Sequence, residues 1–172
     1  MINKMATERK QLKYINEICK TDYKSMDEVK WQWISSEVTL PEMFIKEFSD
    51  KVDWDYISIF QNLSETFMIE FEKKLTWKFI WREQQVSQYF IHKYGIKYFH
   101  DNLIKYRTVP LEIISELKYD VHWKDVIKHQ VLTENFIWEH RNFIDDIELV
   151  EHTQNVSSEF IQKLKDFKNL KN

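Results

Sequence analysis

Histidine is the first candidate for a metal ligand or an acid-base catalyst in this chain of 172 residues, because its imidazole binds metal ions and exchanges protons near neutral pH. The six histidines are His92, His100, His122, His129, His140 and His152. No H-x-x-x-H or H-E-x-x-H spacing occurs among them, so the sequence does not place two of them as neighbouring ligands on one helical face. A zinc site needs three or four convergent ligands. We therefore expect no metal site.

The other reactive residue types also lack the spacing that catalysis requires. Carboxylate pairs such as Asp53 and Asp55 are typical of helix caps and solvated faces, and nothing indicates that two of them share a pocket. Gly95 is the only glycine, so a glycine-rich phosphate loop is excluded. Cys19, the only cysteine, falls on the apolar side of an N-terminal helical segment and is expected to be an inert hydrophobe. We expect a protein that is not an enzyme and that has no cofactor.

The composition argues against a membrane span and against nucleic-acid binding by bulk attraction. Charged residues make up 31% of the chain and the net charge is −3, with no polybasic stretch. No window approaches the length of apolar sequence that crosses a bilayer, and residues 1–20 contain no apolar run of the secretory kind. One cysteine excludes an intrachain disulfide and favours a reducing compartment. We expect a cytoplasmic protein.

Apolar residues recur with a period of 23, and this repeat must position any functional side chain. The copies that begin with tryptophan start at Trp31, Trp54, Trp77 and Trp123. His100 stands at the start of the fourth copy, and a sixth begins at Ile147 after a one-residue insertion near Asp146. Self-similarity at a fixed short period indicates a repeat array.

Each copy has the pattern of two short helices. In the second copy, Trp54, Ile57 and Gln61 follow helical spacing, with Asp53 suited to cap the helix. Ser64 is suited to cap a second helix. Its position carries only residues typical of helix starts in the other copies, namely Pro41, Ser87, Pro110, Thr133 and Ser157. A leucine-rich repeat has a similar period, but the strand-forming L-x-L-x-x-N core of that repeat is absent.

The sequence therefore predicts an all-α fold, an α-solenoid of about six helix-turn-helix repeats. We place the repeats in residues 31–172 and an N-terminal capping helix with a linker in residues 1–30. The residues of the capping helix expected to point inward are Leu12, Ile15, and Ile18 or Cys19. The paired helices are expected to have about eight or nine residues, which is too short for stability in isolation. Each repeat must therefore bury its apolar face against its neighbour.

Glutamine recurs near the end of the first helix, as Gln61, Gln84 and Gln130, with Arg107 in the fourth copy and Gln154 near this place in the sixth. An amide there can satisfy the carbonyl groups that a helix end leaves unpaired, or bridge the turn to the next repeat. A polar ladder that binds a ligand is the alternative. Because the glutamines recur together with core positions, the structural interpretation is favoured.

Aromatic residues outside the repeat pattern are the strongest indication of a binding surface. With one neighbouring cation, the candidate binding residues are Trp33, Tyr56, Phe60, Phe79, Trp81, Arg82, Tyr106 and Trp138. These aromatic rings either pack between repeats, which is the more usual outcome, or form an exposed ridge of the kind enriched in binding hot spots. Their irregular recurrence favours the ridge, because a purely structural position should recur in every copy.

The motif W-x-x-I-S-x-x-Q-x-L-S-E-x-F-I-x-x-F, best seen in residues 54–71, resembles short tandem repeats in uncharacterised proteins of bacteriophages and giant DNA viruses. The resemblance covers about residues 31–167 and departs from the pattern at His100 and near Asp146. It implies a phage or viral origin and a host-directed or virion-associated interaction protein, located inside the host cell. It implies no activity, because those proteins share no assigned role.

We therefore expect a non-enzymatic scaffold that binds another protein, from the host if the chain is viral, and that blocks or sequesters it, for example a defence component. One alternative is a nucleic-acid mimic with an acidic ridge, or a nucleic-acid binder with a basic strip. That strip would contain Lys105, Arg107, Lys124 and Lys128. The other alternative is a self-associating structural protein that forms a homo-oligomer.

Overall fold

The structure, a computed structural model of the chain, describes residues 2–170 and the side chains of residues 7–170. Over the described residues it contains thirteen α-helices and no strand, which confirms the predicted all-α fold. Met1, Lys171 and Asn172, at the outer ends of the two predicted segments, lie outside the described residues.

A long first helix precedes six pairs of short helices. Helix α1 spans Ile2–Cys19, and a single 3₁₀ turn follows at Met26–Glu28. The first helices of the pairs are α2 (Trp31–Glu37), α4 (Trp54–Phe60), α6 (Trp77–Glu83), α8 (Asp101–Tyr106), α10 (Trp123–His129) and α12 (Ile147–Thr153). The second helices are α3 (Glu42–Glu47), α5 (Glu65–Glu70), α7 (Gln88–Tyr94), α9 (Leu111–Glu116), α11 (Glu134–Glu139) and α13 (Ser158–Asn169). The predicted two-helix repeat is confirmed.

The paired helices are shorter than predicted. Apart from α13, each has six or seven residues, whereas eight or nine were expected. After α5, the backbone N–H groups of Lys74 and Leu75 both donate to the carbonyl oxygen of Phe71, at 2.9 and 3.2 Å, so the chain closes into a turn. Leu75 is nevertheless buried. The sequence pattern did not separate this turn from a helix, because both bring residues three or four positions apart onto one side.

Side-chain caps begin α4 and four of the six second helices at the residues that the sequence predicts. The Asp53 carboxylate accepts hydrogen bonds from the N–H groups of Asp55 and Tyr56, and Ser64 Oγ accepts one from Phe67 N at 3.2 Å. The equivalent cap of the second helix is made by Ser87, Thr133 and Ser157. Pro41 and Pro110 take the cap position in the two remaining repeats. These residues therefore fix where each second helix begins.

The chain divides into two compact units, Met1–Gln84 and Gln85–Asn172. In the first unit, α2 packs against α4, and α4 packs against α6. In the second unit, α8 packs against α10, α10 packs against α12, and α12 packs against α13. Within each unit the first helices of successive pairs thus stack side by side, which is the packing of a helical-repeat solenoid.

An aromatic stack joins the two helices of a repeat. Trp54 stacks on Phe71 with ring centroids 5.1 Å apart, and Trp123 stacks on His140 at 5.2 Å. His140 is buried, and its Nδ1 donates to the carbonyl oxygen of Phe136 at 2.9 Å. One aliphatic position is also buried in every repeat: Ile34, Ile57, Ile80, Leu103, Val126 and Val150.

The tryptophans also bond to the turn that precedes them. Trp54 Nε1 donates to Ser49 O, and Trp123 Nε1 donates to Lys118 O, both at 3.0 Å. A partly buried indole N–H needs such a partner. In the second and fifth repeats, both the ring of the tryptophan and the donor at its edge are therefore used within the fold.

Helix α1 covers the first repeat, as the predicted cap. Ile15 is fully buried and Cys19 is 6% exposed. The ring of Tyr14 lies 5.5 Å from that of Phe44 and 6.3 Å from that of Phe48. The apolar side of α1 is thus packed on the second helix of repeat one.

Candidate functional site

The recurrent glutamines bond to the backbone of the preceding repeat. Gln61 is 3% exposed, and its Oε1 accepts a hydrogen bond from Leu40 N at 2.8 Å. Its Nε2 donates to Ser35 O at 2.9 Å and to Val38 O at 2.8 Å. One side chain thus satisfies three backbone groups around the end of α2, two of them buried.

Gln84, Gln130 and Gln154 repeat this arrangement. Their Oε1 atoms accept, respectively, from Leu63 N, Val109 N and Leu132 N, at 3.1, 2.9 and 2.9 Å. Each Nε2 donates to two carbonyl groups at the C-terminal end of the preceding first helix. The structural interpretation of the glutamines is confirmed, although the bonds go to the preceding repeat and not to the next one. Their amide groups are engaged within the fold.

Trp81 does not belong to an exposed surface, contrary to the prediction, because it is 0% exposed on α6. The same position of α2 and α4 carries Ser35 and Ser58, which are also 0% exposed. Ser58 Oγ donates to Trp54 O at 2.7 Å and accepts from Thr76 N at 3.0 Å. A serine at this position therefore indicates a buried bond between repeats. Trp81 fills a buried position and is therefore not accessible to a partner.

Trp33, Tyr56 and Phe60 form an exposed aromatic patch on α2 and α4. Trp33 is 42% exposed and Phe60 is 55% exposed, and Tyr56 is half-buried. The ring centroids of Tyr56 and Phe60 are 5.8 Å apart. Gln32 Nε2 donates to Tyr56 Oη at 3.3 Å, which joins the two helices beside the patch. The aromatic patch is thus carried by two packed helices and exposes the rings of Trp33 and Phe60 to solvent.

Phe79 occupies on α6 the position that Trp33 and Tyr56 occupy on α2 and α4, but cations flank its ring. Lys78 Nζ lies 4.6 Å and Arg82 Cζ lies 5.6 Å from the ring centroid. Arg82 is exposed and pairs with the neighbouring Glu83. Cations over an aromatic face are attracted to the ring. The surface therefore changes from aromatic on α2 and α4 to cationic on α6.

Tyr106 and Trp138 lie in the second unit, on α8 and α11. Tyr106 is 52% exposed. Trp138 is half-buried, with Arg141 Cζ at 4.5 Å and Lys163 Nζ at 3.9 Å from its ring centroid. The ring of Phe167, on α13, meets it at 5.8 Å. Trp138 is thus engaged by its own chain, and its position is explained by the contact between α11 and α13.

A groove in the second unit was missed by the sequence analysis. It has a volume of about 330 Å³ and is lined by Val121, His122, Trp123, Lys124, Ile127, Phe143, Asp145 and Asp146. Phe143 stacks on Trp123 at 5.6 Å, and Tyr119, which is 78% exposed, meets Phe143 at 5.4 Å. The one-residue insertion was the available signal, because the groove includes the segment in which the insertion falls.

Cys19 is buried, and two of the histidines lie apart on one helix. Burial raises the pKa of the Cys19 thiol to about 11, so the thiol stays protonated and weakly nucleophilic at neutral pH. His122 and His129 stand at opposite ends of α10. In the part of the chain that the structure describes, no group of three or more His, Cys, Asp or Glu could hold a metal ion.

Comparison with known proteins finds no family model, no curated protein and no solved structure that matches the chain. Of the helices within residues 2–170, none has both the length and the apolar character needed to cross a bilayer.

Proposed function

We propose that the protein is a non-enzymatic scaffold that binds another protein through the aromatic patch of α2 and α4. The supporting observation is the exposure of Trp33 (42%) and Phe60 (55%) on helices that are held by packing. The position of Trp33 carries Asn102 and Asp125 in two repeats of the second unit. The fold therefore does not require a large ring at that position, and a binding role accounts for it.

The construction of the aromatic patch suits protein recognition. Trp and Tyr are enriched in binding hot spots, and they bury large areas while immobilising few torsions. Because α2 and α4 are packed against each other, the rings are already placed before a partner arrives, which lowers the entropy lost on binding. Arg82 on the adjacent helix α6 adds a charge that would orient the partner.

The resemblance of the repeat motif to phage and giant-virus proteins supports a narrower form of this proposal. In that form the partner is a protein of the host cell, and binding blocks or sequesters it. The motif alone supports this part.

Ion pairs of the second unit weigh against the nucleic-acid alternative. Lys105 Nζ lies 3.1 Å from the carboxylate of Asp125, and Lys124 Nζ lies 3.5 Å from that of Asp146. Two of the four cations in the expected phosphate strip are thereby compensated. A phosphate backbone would have to compete with these carboxylates, so we favour a protein partner.

Affinity capture with matched variants tests the proposal. The double variant Trp33→Ala/Phe60→Ala is expected to recover about tenfold less of any captured partner, the effect of losing one or two hot-spot residues. The control is Tyr119→Ala/Val131→Ala, which removes side chains that are 78% and 88% exposed in the second unit. Both variants should keep the far-UV circular dichroism of the wild type. Equal recovery by all three proteins would refute the proposal.

Two further measurements separate the other classes of function. A bound partner that dissociates steeply with added salt would favour nucleic acid, because phosphate contacts release counterions. Light scattering at several concentrations would detect self-association. A mass that rises with concentration, and that the double variant lowers, would identify a second copy as the partner.

A further inference from the structure

We propose that the aromatic patch and α6 together bind an extended, proline-rich segment that carries acidic residues at one end. The inference rests on the proposed protein-binding function and names the chemistry of the partner. Its ligand would be a left-handed polyproline II helix laid across α2, α4 and α6.

The spacing of the rings is the first argument. Trp33, Tyr56 and Phe79 stand 23 residues apart, at the same position of three helices that pack side by side. Axes of packed helices are about 8–10 Å apart. One turn of polyproline II contains three residues and rises about 9 Å. A proline at every third position would therefore meet successive helices in register.

Hydrogen bonding on the patch is the second argument. The polyproline II backbone makes no internal hydrogen bonds, so its carbonyl groups seek donors from the protein. Tyr56 Oη already accepts a bond from Gln32 Nε2 at 3.3 Å, which leaves the hydroxyl hydrogen of Tyr56 to donate to a bound carbonyl. An α-helical ligand satisfies its own carbonyl groups and would not use this donor.

Charge is the third argument. On α6, Lys78 Nζ and Arg82 Cζ lie 4.6 and 5.6 Å from the ring centroid of Phe79. The rings on α2 and α4 are thus Trp33, which is 42% exposed, and the half-buried Tyr56, whereas the ring on α6 is flanked by two cations. Glu83 pairs with Arg82, so a carboxylate of the ligand would compete with Glu83 for this cation. If successive prolines of the ligand contact Trp33 and Tyr56, a carboxylate three residues further along would lie beside the cations of α6.

Fluorescence anisotropy of labelled peptides with the full chain tests the inference. The probes are Ac-(Pro-Pro-Ala)₃-Glu-Glu-NH₂ and its reverse sequence, because a polyproline II helix can bind in either direction. One control peptide replaces each proline with glycine, and another replaces the glutamates with lysine. Trp33→Ala should weaken probe binding about tenfold. Arg82→Glu should weaken the acidic probe and strengthen the lysine probe, whereas Tyr119→Ala should change neither.

The outcomes separate this inference from the proposed function. Saturable binding of either acidic probe, lost with glycine in place of proline and weakened by Trp33→Ala, would support the inference. Equal binding of the glycine peptide, or no loss in Trp33→Ala, would overturn it. If a captured partner depends on the patch but is not displaced by either acidic probe, the inference fails while the proposed function stands. If capture is independent of the patch, the proposed function fails.

Discussion

Replacing Gln61 by methionine should uncouple the first repeat from the second. Methionine has a similar volume and keeps the apolar contacts of the side chain, but it removes all three hydrogen bonds. Leu40 N and Ser35 O would be left buried without a partner, and Val38 O would lose one at a partly buried place. An unsatisfied buried backbone group costs about 1–3 kcal/mol.

The magnitude follows from how many of these groups water can reach. Two buried groups at about 1.5 kcal/mol each, with a smaller contribution from Val38 O, give a loss of about 3–4 kcal/mol in the free energy of unfolding. That loss is a large fraction of the free energy of unfolding of a typical domain, which is about 5–15 kcal/mol. The matched variant is Gln154→Met, whose three lost bonds are all partly buried. Water can replace them, so we expect a loss of only about 1 kcal/mol.

Urea unfolding followed by far-UV circular dichroism would measure both losses, and hydrogen exchange would localise the first one. In Gln61→Met, the amide of Leu40 should exchange faster than in the wild type, while the amide of Leu132 is unchanged. A loss below about 1 kcal/mol for Gln61→Met, or equal losses for the two variants, would refute the reasoning that buried backbone groups depend on this amide.

Three other outcomes are expected. The N–H and hydroxyl of Ser157 donate to the Glu134 carboxylate at 2.7 and 2.8 Å and hold the pKa of Glu134 below its usual value. The stabilisation from these bonds is present above about pH 4.5 and is lost as the pH falls through the lowered pKa. The urea midpoint of Glu134→Gln should therefore fall less on acidification than that of the wild type. Trp54→Phe removes the bond to Ser49 O and should cost about 1–2 kcal/mol in urea unfolding. Because burial raises the pKa of Cys19 to about 11, iodoacetamide at about pH 8 should alkylate the folded chain roughly a hundredfold more slowly than the urea-unfolded chain.

The first two of these predictions have a control within the chain. Glu116→Gln removes an exposed carboxylate from the last turn of α9 and should keep the acid sensitivity of the wild type. Trp33→Phe alters an exposed ring and should change stability by less than about 0.5 kcal/mol. The cysteine result would be contradicted if alkylation of the folded protein matched that of the unfolded chain.

The repeat architecture was predictable because one chain contains several copies of the same physical solution. Substitution of Ser64 by Ser, Thr or Pro in the other copies indicated a helix start, and the caps at Ser64 and Thr133 confirm it. Helix lengths were less accessible. The turn that Leu75 closes onto Phe71 has the same apolar spacing as a helix, so the pattern overestimated α5.

The candidate surface was predicted only in part. Trp33 and Phe60 are exposed as expected, but Trp81 is buried, because a position filled by serine can be interior when its hydroxyl bonds to the backbone. Phe79 was predicted as a binding residue, and the sequence did not show that Lys78 would lie over its ring. Such details depend on side-chain placement across a helix, which periodicity does not specify.

The direction of the glutamine bonds has a consequence for synthesis on the ribosome. The loop that ends α2 is completed by Gln61, and the loop that ends α4 is completed by Gln84. During translation each of these two loops therefore stays incomplete until a residue more than twenty positions later has been made. The nascent chain is expected to fold one repeat behind the point at which it emerges, from the N-terminus onward.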